Sequence, residues 1–292
     1  MTFFSVIIPT YNRASLISNT IESVLNQKFK NFELLIIDDG STDNTQEVVQ
    51  KFTSDVRVKY FKKENGERGA ARNFGTSMAS GQYINFFDSD DLMYPNHLEV
   101  ARLFIDQSGS PDIFHLAYDY KTPSGEIIYT RNSFDEKSID LLLFDNILSC
   151  NGVFLKKDIT KNHPFEENRV MASAEDWALW VKLACRYKIS FCNEITSAIV
   201  AHDARSIQTI NIEKVILRDL FLIEYLQSDE RVMDYYGNRF NKFIGERYSF
   251  FMLCFSEKRE RMQVVRWAVK AMFAYSSILF SKRFLASLKN TL

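Results

Sequence analysis

The chain has 292 residues, of which 46% are hydrophobic and 25% are charged, so it is long and apolar enough to bury a substantial core. Its formal net charge of −1 gives no whole-molecule attraction to nucleic acid or anionic lipid, and no nucleic-acid partner is expected. The four cysteines form no C-x-x-C pair, no apolar run approaches the roughly 20 residues of a membrane helix, and the N-terminus lacks a signal-peptide pattern. We therefore expect a cytoplasmic protein with reduced thiols that is neither exported nor membrane-spanning.

The first hundred residues alternate between strand and helix patterns. Continuous apolar runs predict strands over residues 3–9, 32–37, 56–61 and 82–87. Apolar residues at helical spacing and capping residues predict helices over residues 15–26, from Thr42 or Asp43 to residue 52, and over 69–79. This alternation predicts an α/β fold in which a mainly parallel central sheet is flanked by helices on both faces.

Polar clusters follow the predicted strands at the edge where such sheets bind their ligands. They occupy residues 9–13, 38–43 and 88–91, and residues 65–73 open the third helix. Three acids, Asp88, Asp90 and Asp91, directly follow an apolar strand. Because their charges repel one another, a positive partner is expected, and hard carboxylate ligands suit Mg²⁺ or Mn²⁺. A solvated acidic turn is the alternative for this segment taken alone.

These segments together carry a family resemblance. The string VIIPTYNR at residues 6–13, IDDGSTD at 37–43 and the Asp88-Ser89-Asp90 triplet resemble the family 2 glycosyltransferases, which have the glycosyltransferase-A fold. The match is close over residues 3–100 and weaker to about 205. The resemblance implies an inverting, metal-dependent enzyme that moves a sugar from a nucleotide diphosphate, most often UDP, to a hydroxyl of a glycan or lipid-linked glycan acceptor, typically in bacterial surface polysaccharide assembly.

The resemblance also implies a set of donor-binding residues. Pro9, Thr10 and Tyr11 would line the base and ribose pocket, and Asp39 would accept a hydrogen bond from the base. Arg72 would approach the diphosphate, because a guanidinium fork and a positive helix end both favour phosphate oxygens. Taken singly, the residues near Asp39 are also good turn and cap residues, and Arg72 suits a helix surface.

Asp88 and Asp90 would form the family's Asp-x-Asp motif, which implies Mn²⁺ or Mg²⁺ as the cofactor. Asp90 is then the direct metal ligand, Asp88 lies nearer the ribose as well as the ion, and Ser89 between them contacts the donor. Many family members also have a histidine on a segment that closes over the diphosphate or the metal. His202 is the corresponding metal-ligand candidate, although a lone histidine is more often structural.

A second acidic pair lies downstream, where Glu175 and Asp176 open a helix with Trp177 and Trp180 at core spacing. In the family such a pair supplies the catalytic base, usually the second acid, so the resemblance implies Asp176 as the base with Glu175 beside it. A carboxylate can take the proton from an acceptor hydroxyl as that oxygen attacks the sugar, and one displacement inverts the anomeric centre. The alternative is that both acids only stabilise the positive end of their helix.

Beyond residue 211 the pattern becomes helical, with helices predicted over residues 212–226, 232–255 and 261–288. From Lys258 to Leu292 there are eight Lys or Arg against the single acid Glu260. Such a basic, amphipathic tail suits peripheral contact with the inner face of an anionic membrane, where a lipid-linked acceptor is presented. A helical cap on the catalytic domain is the other interpretation.

The predicted organisation is a catalytic domain over residues 1–210 followed by a helical region over residues 211–292. Within the first domain, residues 1–100 would bind the nucleotide sugar and residues 100–210 would carry the acceptor and catalytic part. A non-catalytic nucleotide-sugar or glycan-binding component is the alternative function, although such a protein needs no base. A nucleotidyltransferase would require a Gly-rich N-terminal loop, which residues 9–12 do not supply.

Overall fold

The computed structural model describes residues 2–201 and 211–291. The chain divides into two compact units, residues 1–208 and 209–292, and each has its own hydrophobic core. The assignment of donor, acceptor and helical regions to parts of the chain stays a prediction.

The first unit is built on one mixed sheet. Its strands within the described residues are β1 (Phe4–Thr10), β2 (Phe32–Asp38), β3 (Val58–Lys62), β4 (Tyr83–Phe86), β5 (Leu92–Met93), β6 (Ile113–Lys121), β7 (Ile127–Arg131), β8 (Val153–Lys156) and β9 (Ile189–Val200). Their spatial order is β3-β2-β1-β4-β8-β6-β9-β5, with β7 paired to β6. The predicted α/β fold is confirmed.

Helices flank this sheet and connect its strands. Those of the first unit are α1 (Ile17–Leu25), α2 (Thr45–Gln50), α3 (Glu67–Met78), α4 (His97–Gln107), α5 (Ser138–Leu142), α6 (Lys157–Asn162) and α7 (Glu175–Ala184). Every predicted strand and helix of the first hundred residues is present, with ends shifted by up to three residues. The predicted parallel arrangement holds for β3-β2-β1-β4, whereas β8 runs antiparallel to both β4 and β6.

Helix α3 lies unusually close to the sheet. A Cβ atom on Gly75 would come within 2.4 Å of Cγ2 of Ile7 on β1, so only glycine permits this approach. The helix begins at Glu67, two residues earlier than predicted, and Arg72 therefore lies in its second turn. The close packing leaves Arg72 only 2% exposed, which matters for the site.

The second unit consists of helices α8 (Ile212–Gln227), α9 (Glu230–Tyr236), α10 (Asn238–Glu257), α11 (Arg261–Ala274) and α12 (Lys282–Thr291). Two long helices predicted here are each broken. Gly237, with φ +48°, separates α9 from α10, and a short 3₁₀ helix, Ser276–Phe280, separates α11 from α12. Among the described residues, no helix combines the length and apolar character needed to cross a membrane.

A buried glutamate ties the first strands together. Glu33 on β2 accepts hydrogen bonds from Ser5 Oγ at 2.6 Å, Ser80 N at 2.6 Å and Lys59 Nζ at 2.8 Å. Burial alone would raise its pKa, but these donors outweigh burial and hold the pKa of Glu33 at about 2 rather than 4.5. The ionised carboxylate therefore stabilises the fold.

We predict that Glu33→Gln flattens the pH dependence of stability. Because the folded pKa lies below the unfolded one, the stabilisation is complete above pH 4.5 and is lost as pH falls toward 2. The shift corresponds to roughly 3 kcal/mol. Urea unfolding at pH 7 and pH 3 should show a smaller difference in the variant than in the wild type. The exposed Glu47→Gln serves as the control, and equal pH dependence in all three proteins would contradict this reading of Glu33.

Candidate functional site

An open pocket of about 510 Å³ lies beyond the carboxyl ends of β1, β2 and β4, with the N-terminus of α7 forming another wall. Its lining brings together every predicted site residue that the structure describes: Pro9, Thr10, Tyr11, Asp39, Arg72, Asp88, Ser89, Asp90, Glu175 and Asp176. His202, the remaining predicted site residue, lies outside the described residues. The pocket is also lined by Arg13, Asn65, Glu67, Arg68, Ala71, Asn146, Arg169 and Ser173.

Hydrogen bonds between neighbouring loops shape the β1–β2 side of the pocket. Asn12, at φ +50°, accepts from Thr42 N at 2.8 Å through its Oδ1 atom. Asp39 N donates to Thr10 O at 2.8 Å. The Thr10 hydroxyl is buried without a hydrogen-bond partner among the described residues, while the Tyr11 side chain is 46% exposed. The two loops thus form one fixed wall that presents an unsatisfied hydroxyl and an aromatic ring.

Asp39 is buried at the foot of this wall and organises the loop before α3. Its Oδ1 atom accepts from Lys63 Nζ at 2.8 Å and from Gly66 N at 2.9 Å. Its Oδ2 atom accepts from Asn65 Nδ2 at 3.1 Å. A carboxylate with several lone pairs can accept a further hydrogen bond from a ligand. Asp39 is therefore both a pocket residue and the anchor of the residue 63–66 loop.

The three acids after β4 have different environments. Asp91 is 1% exposed and is not among the residues that line the pocket. Its carboxylate accepts from Asn151 Nδ2 at 2.7 Å and from Val200 N at 2.9 Å. Asn151 also accepts from Asp88 N through Oδ1 at 2.9 Å, so one buried amide fixes both ends of the turn. Asp91 is accordingly a structural residue of that turn.

Arginines provide positive charge beside the other two acids. Asp88 Oδ1 lies 3.0 Å from Arg72 Nη2, and Asp90 Oδ2 lies 3.6 Å from Arg13 Nε. These arginines supply part of the positive charge expected beside the acidic cluster, and the divalent ion expected there stays a prediction. The side chains of Asp88 and Asp90 are 35% and 11% exposed, and both residues line the pocket.

Arg72 links this acidic turn to helix α7. Its Nη1 atom donates to Glu175 Oε1 at 2.7 Å, while Nη2 donates to Asp88 Oδ1. The guanidinium carbon lies 5.2 Å from the centre of the Phe165 ring. Both terminal nitrogens are thus used by carboxylates, which the helix-surface interpretation of Arg72 did not foresee. The buried cation sets the spacing between Asp88 and the acidic pair.

Asp176 is the second acid of the pair that opens α7. Three neighbouring residues contact its carboxylate. Its Oδ1 accepts from Trp177 N at 2.7 Å, and its Oδ2 accepts from Asn146 Nδ2 at 3.1 Å and lies 3.7 Å from Cys150 Sγ. Burial raises the pKa of Asp176, and the charge of Glu175 raises it further, against the opposing effects of Arg72 and Asn146. The resulting pKa of about 6 is in the range that suits a general base near neutral pH.

The donor atoms at Asp88 and Asp90 fit a divalent ion that is shared with a substrate. Carboxylate oxygens are the ligands that Mg²⁺ and Mn²⁺ prefer, and one or two of them suffice when substrate phosphates and water complete the shell. The described residues contain no group of three or more His, Cys, Asp or Glu that could hold a metal ion by themselves. Asp88 and Asp90 would therefore need further ligands to hold such an ion, and a metal site here stays a prediction.

Several pocket residues had no counterpart among the sequence predictions. Asn146 lines the pocket and contacts Asp176, as does Cys150 from outside the lining, and both lie in the region where the sequence pattern indicated no function. Arg169 also lines the pocket and was not singled out from the sequence. Its Nη1 donates to Glu67 Oε1 at 3.0 Å and its Nη2 to Asn65 Oδ1 at 2.8 Å, across the pocket rim.

Comparisons with known proteins agree on one family. The model of glycosyl transferase family 2 matches residues 5–155, just over half of the chain. An uncharacterised glycosyltransferase of Rickettsia felis is 34% identical over 236 residues, which are 77% of this chain and 38% of that protein. The hyaluronan synthase of Pasteurella multocida is 31% identical over 212 residues, 72% of this chain and 22% of that enzyme. The chain thus spans well under half the length of both relatives.

Solved structures share the fold. The S. aureus TarS fragment 1–349 in complex with UDP-GlcNAc superposes with a TM-score of 0.65 at 18% identity, covering 95% of this chain and 90% of that one. The mannosyltransferase PcManGT of Pyrobaculum calidifontis, in complex with GDP-Man and Mn²⁺, has a TM-score of 0.59 at 15% identity, covering 99% of this chain and 85% of that one. These likenesses confirm the predicted glycosyltransferase-A fold.

We predict that Glu175→Gln lowers the pKa of Asp176 below about 6. The change removes a like charge beside Asp176 and also leaves the positive charge of Arg72 less compensated, and both effects favour the ionised form. Carbon-13 NMR titration of the aspartate carboxyls, assigned with Asp176→Asn, measures the shift. The exposed Glu126→Gln is the control. An unchanged pKa in Glu175→Gln would show that the charge of Glu175 does not contribute to the pKa of Asp176.

Proposed function

Because the chain belongs to the family 2 glycosyltransferases, we propose that it transfers a sugar from a nucleotide diphosphate to a hydroxyl of a glycan or lipid-linked glycan. The observation that supports this most is the single pocket into which β1, β2, β4 and α7 project their polar residues. A UDP-sugar is the proposed donor, consistent with the UDP-GlcNAc bound by TarS. Surface polysaccharide synthesis is the proposed setting, and a hyaluronan synthase is among the relatives.

The nucleotide is proposed to bind along the wall formed by the loops after β1 and β2. Pro9, Thr10 and Tyr11 contact the base and ribose there, and the buried Thr10 hydroxyl gains a partner on binding. Asp39 accepts a hydrogen bond from the base through a lone pair that its loop partners leave available. The exposed ring of Tyr11 is placed to stack on a planar base.

The diphosphate is proposed to lie near the acids after β4. Asp90 and Asp88 are the residues that would hold Mn²⁺ or Mg²⁺, which when bound compensates the charge that develops on the departing diphosphate. Ser89 contacts the donor between them, and His202 stays a candidate metal ligand. Arg72 adds positive charge beneath the phosphates while its terminal nitrogens hold Asp88 and Glu175.

Asp176 is proposed as the catalytic base. The acceptor oxygen forms a bond to the anomeric carbon as the bond to the diphosphate oxygen breaks, and the electron pair leaves with the nucleotide. Asp176 takes the hydroxyl proton, so a single displacement inverts the anomeric centre. Asn146 and the Trp177 amide hold the carboxylate in place, and Glu175 beside it raises its basicity.

We predict that Asp176→Asn retains donor binding but lowers sugar transfer by about 100- to 10,000-fold, because the amide cannot accept the proton. UDP-GlcNAc affinity is measured by calorimetry, and UDP release in the presence of Mn²⁺ and a panel of acceptors reports turnover. Asp158→Asn, an exposed aspartate outside the pocket, is the control. Near-normal turnover in Asp176→Asn would move the base elsewhere, and a wild type that binds without turnover would favour the non-catalytic alternative.

We predict that Asp39→Asn weakens UDP and UDP-GlcNAc to the same extent, by about tenfold, because a hydrogen bond to the base is shared by both ligands. Calorimetric titration of each ligand measures the two losses. Asp55→Asn removes a comparable hydrogen-bonded carboxylate away from the pocket and should change neither affinity. A loss confined to the nucleotide sugar would assign Asp39 to the sugar rather than to the base.

A further inference from the structure

The second unit carries an exposed apolar stripe along helix α11. Met262 is 86% exposed, Val265 60%, Val269 44% and Phe273 89%. Their spacing of three and four residues places them on one side of the helix. The opposite side, with Val264, Trp267, Ala268 and Ala271, is buried in the core of the unit. Helix α11 is therefore apolar on both sides, although only one side has a partner within the described part of its unit.

The apolar surface continues after the helix. Phe280, at the end of the 3₁₀ helix, is 84% exposed, and Leu285 on α12 is 54% exposed. Side chains of this size rarely stay exposed together on a surface that contacts only water. We call the set Met262, Val265, Val269, Met272, Phe273 and Phe280 the α11 face.

Basic residues border the α11 face. From residue 261 to the end of the chain the sequence contains six Lys or Arg and no Asp or Glu. Arg266 and Lys270 lie on the flank of α11, where their charged groups are 5.6 Å and 4.7 Å from the Trp267 ring centre. Lys282 and Lys289 on α12 are exposed. Although the exposed Glu257 and Glu260 precede α11, an apolar stripe with a predominantly cationic border complements an anionic surface with an apolar interior.

We propose that the α11 face binds the surface of an anionic phospholipid bilayer. Phe273 and Phe280 enter the boundary between headgroups and acyl chains, and the bordering Lys and Arg meet the lipid phosphates. A second copy of the chain is a poorer occupant, because a self-complementary contact would bring two predominantly cationic borders together with too few acids to pair them. The proposal concerns the second unit alone and does not depend on the transfer reaction.

Vesicle sedimentation of the full chain tests the proposal. We expect binding to phosphatidylcholine vesicles that contain phosphatidylglycerol, and binding at least about tenfold weaker to phosphatidylcholine alone. The double variant Phe273→Ser/Phe280→Ser should bind the mixed vesicles at least about tenfold more weakly, because two buried aromatic rings are lost. In Lys282→Gln/Lys289→Gln the affinity for the mixed vesicles should fall about fivefold per charge removed. The fall should be smaller at high salt, where the charges are screened.

Val56→Ser is the matched control, since Val56 is 93% exposed but lies in the first unit. As a second readout, Phe273→Trp should show a blue-shifted emission with the mixed vesicles only. The proposal is overturned if the wild type binds no vesicles, or if the double variant binds as the wild type does. Self-association that the double variant abolishes, without vesicle binding, would assign the face to a second copy. UDP binding should be equal in all variants, which separates this test from that of the proposed transfer.

Discussion

A buried guanidinium is the interaction on which the site depends. Arg72 is 2% exposed, and such a charge is tolerated only when paired carboxylates compensate for the loss of water. Glu175 and Asp88 provide that compensation at 2.7 and 3.0 Å. Because the two acids come from α7 and from the turn after β4, the same ion pairs that bury Arg72 also fix the distance between the two acidic pairs of the pocket.

Residues outside the pocket lining also hold the site residues in place. Gly75 permits α3 to approach β1 closely enough for Arg72 to lie inside the pocket wall. Asn151 holds both Asp91 and the Asp88 amide, while Cys150, one residue earlier, contacts Asp176. One short segment thus touches both acidic pairs. A change in this segment is expected to alter both pairs at once, so additivity should fail between variants of its residues.

Much of the first unit could be predicted because its strands are continuous apolar runs, and because parallel strands end at one edge where polar residues collect. That rule predicts that Thr10, Asp39 and Asp88 lie close together, as they do in the pocket. The second half of the sheet was harder to predict. Strand β8 joins it antiparallel, and the order of the strands there depends on pairing between residues far apart in the sequence. Asn146 was missed because its loop carries no periodic pattern. The helix break at Gly237 was not predicted because the helical periodicity continues across this single glycine.

The central claim, that the pocket binds a nucleotide diphosphate together with a divalent ion, is tested most directly by calorimetric titration. UDP, UDP-GlcNAc and GDP-mannose would each be titrated into the folded protein with Mn²⁺ and with a chelator, and again into Asp90→Asn. The account predicts that one nucleotide series binds only with Mn²⁺ and that Asp90→Asn abolishes this dependence. Equal binding in chelator, or no binding of any of the three ligands, would contradict it.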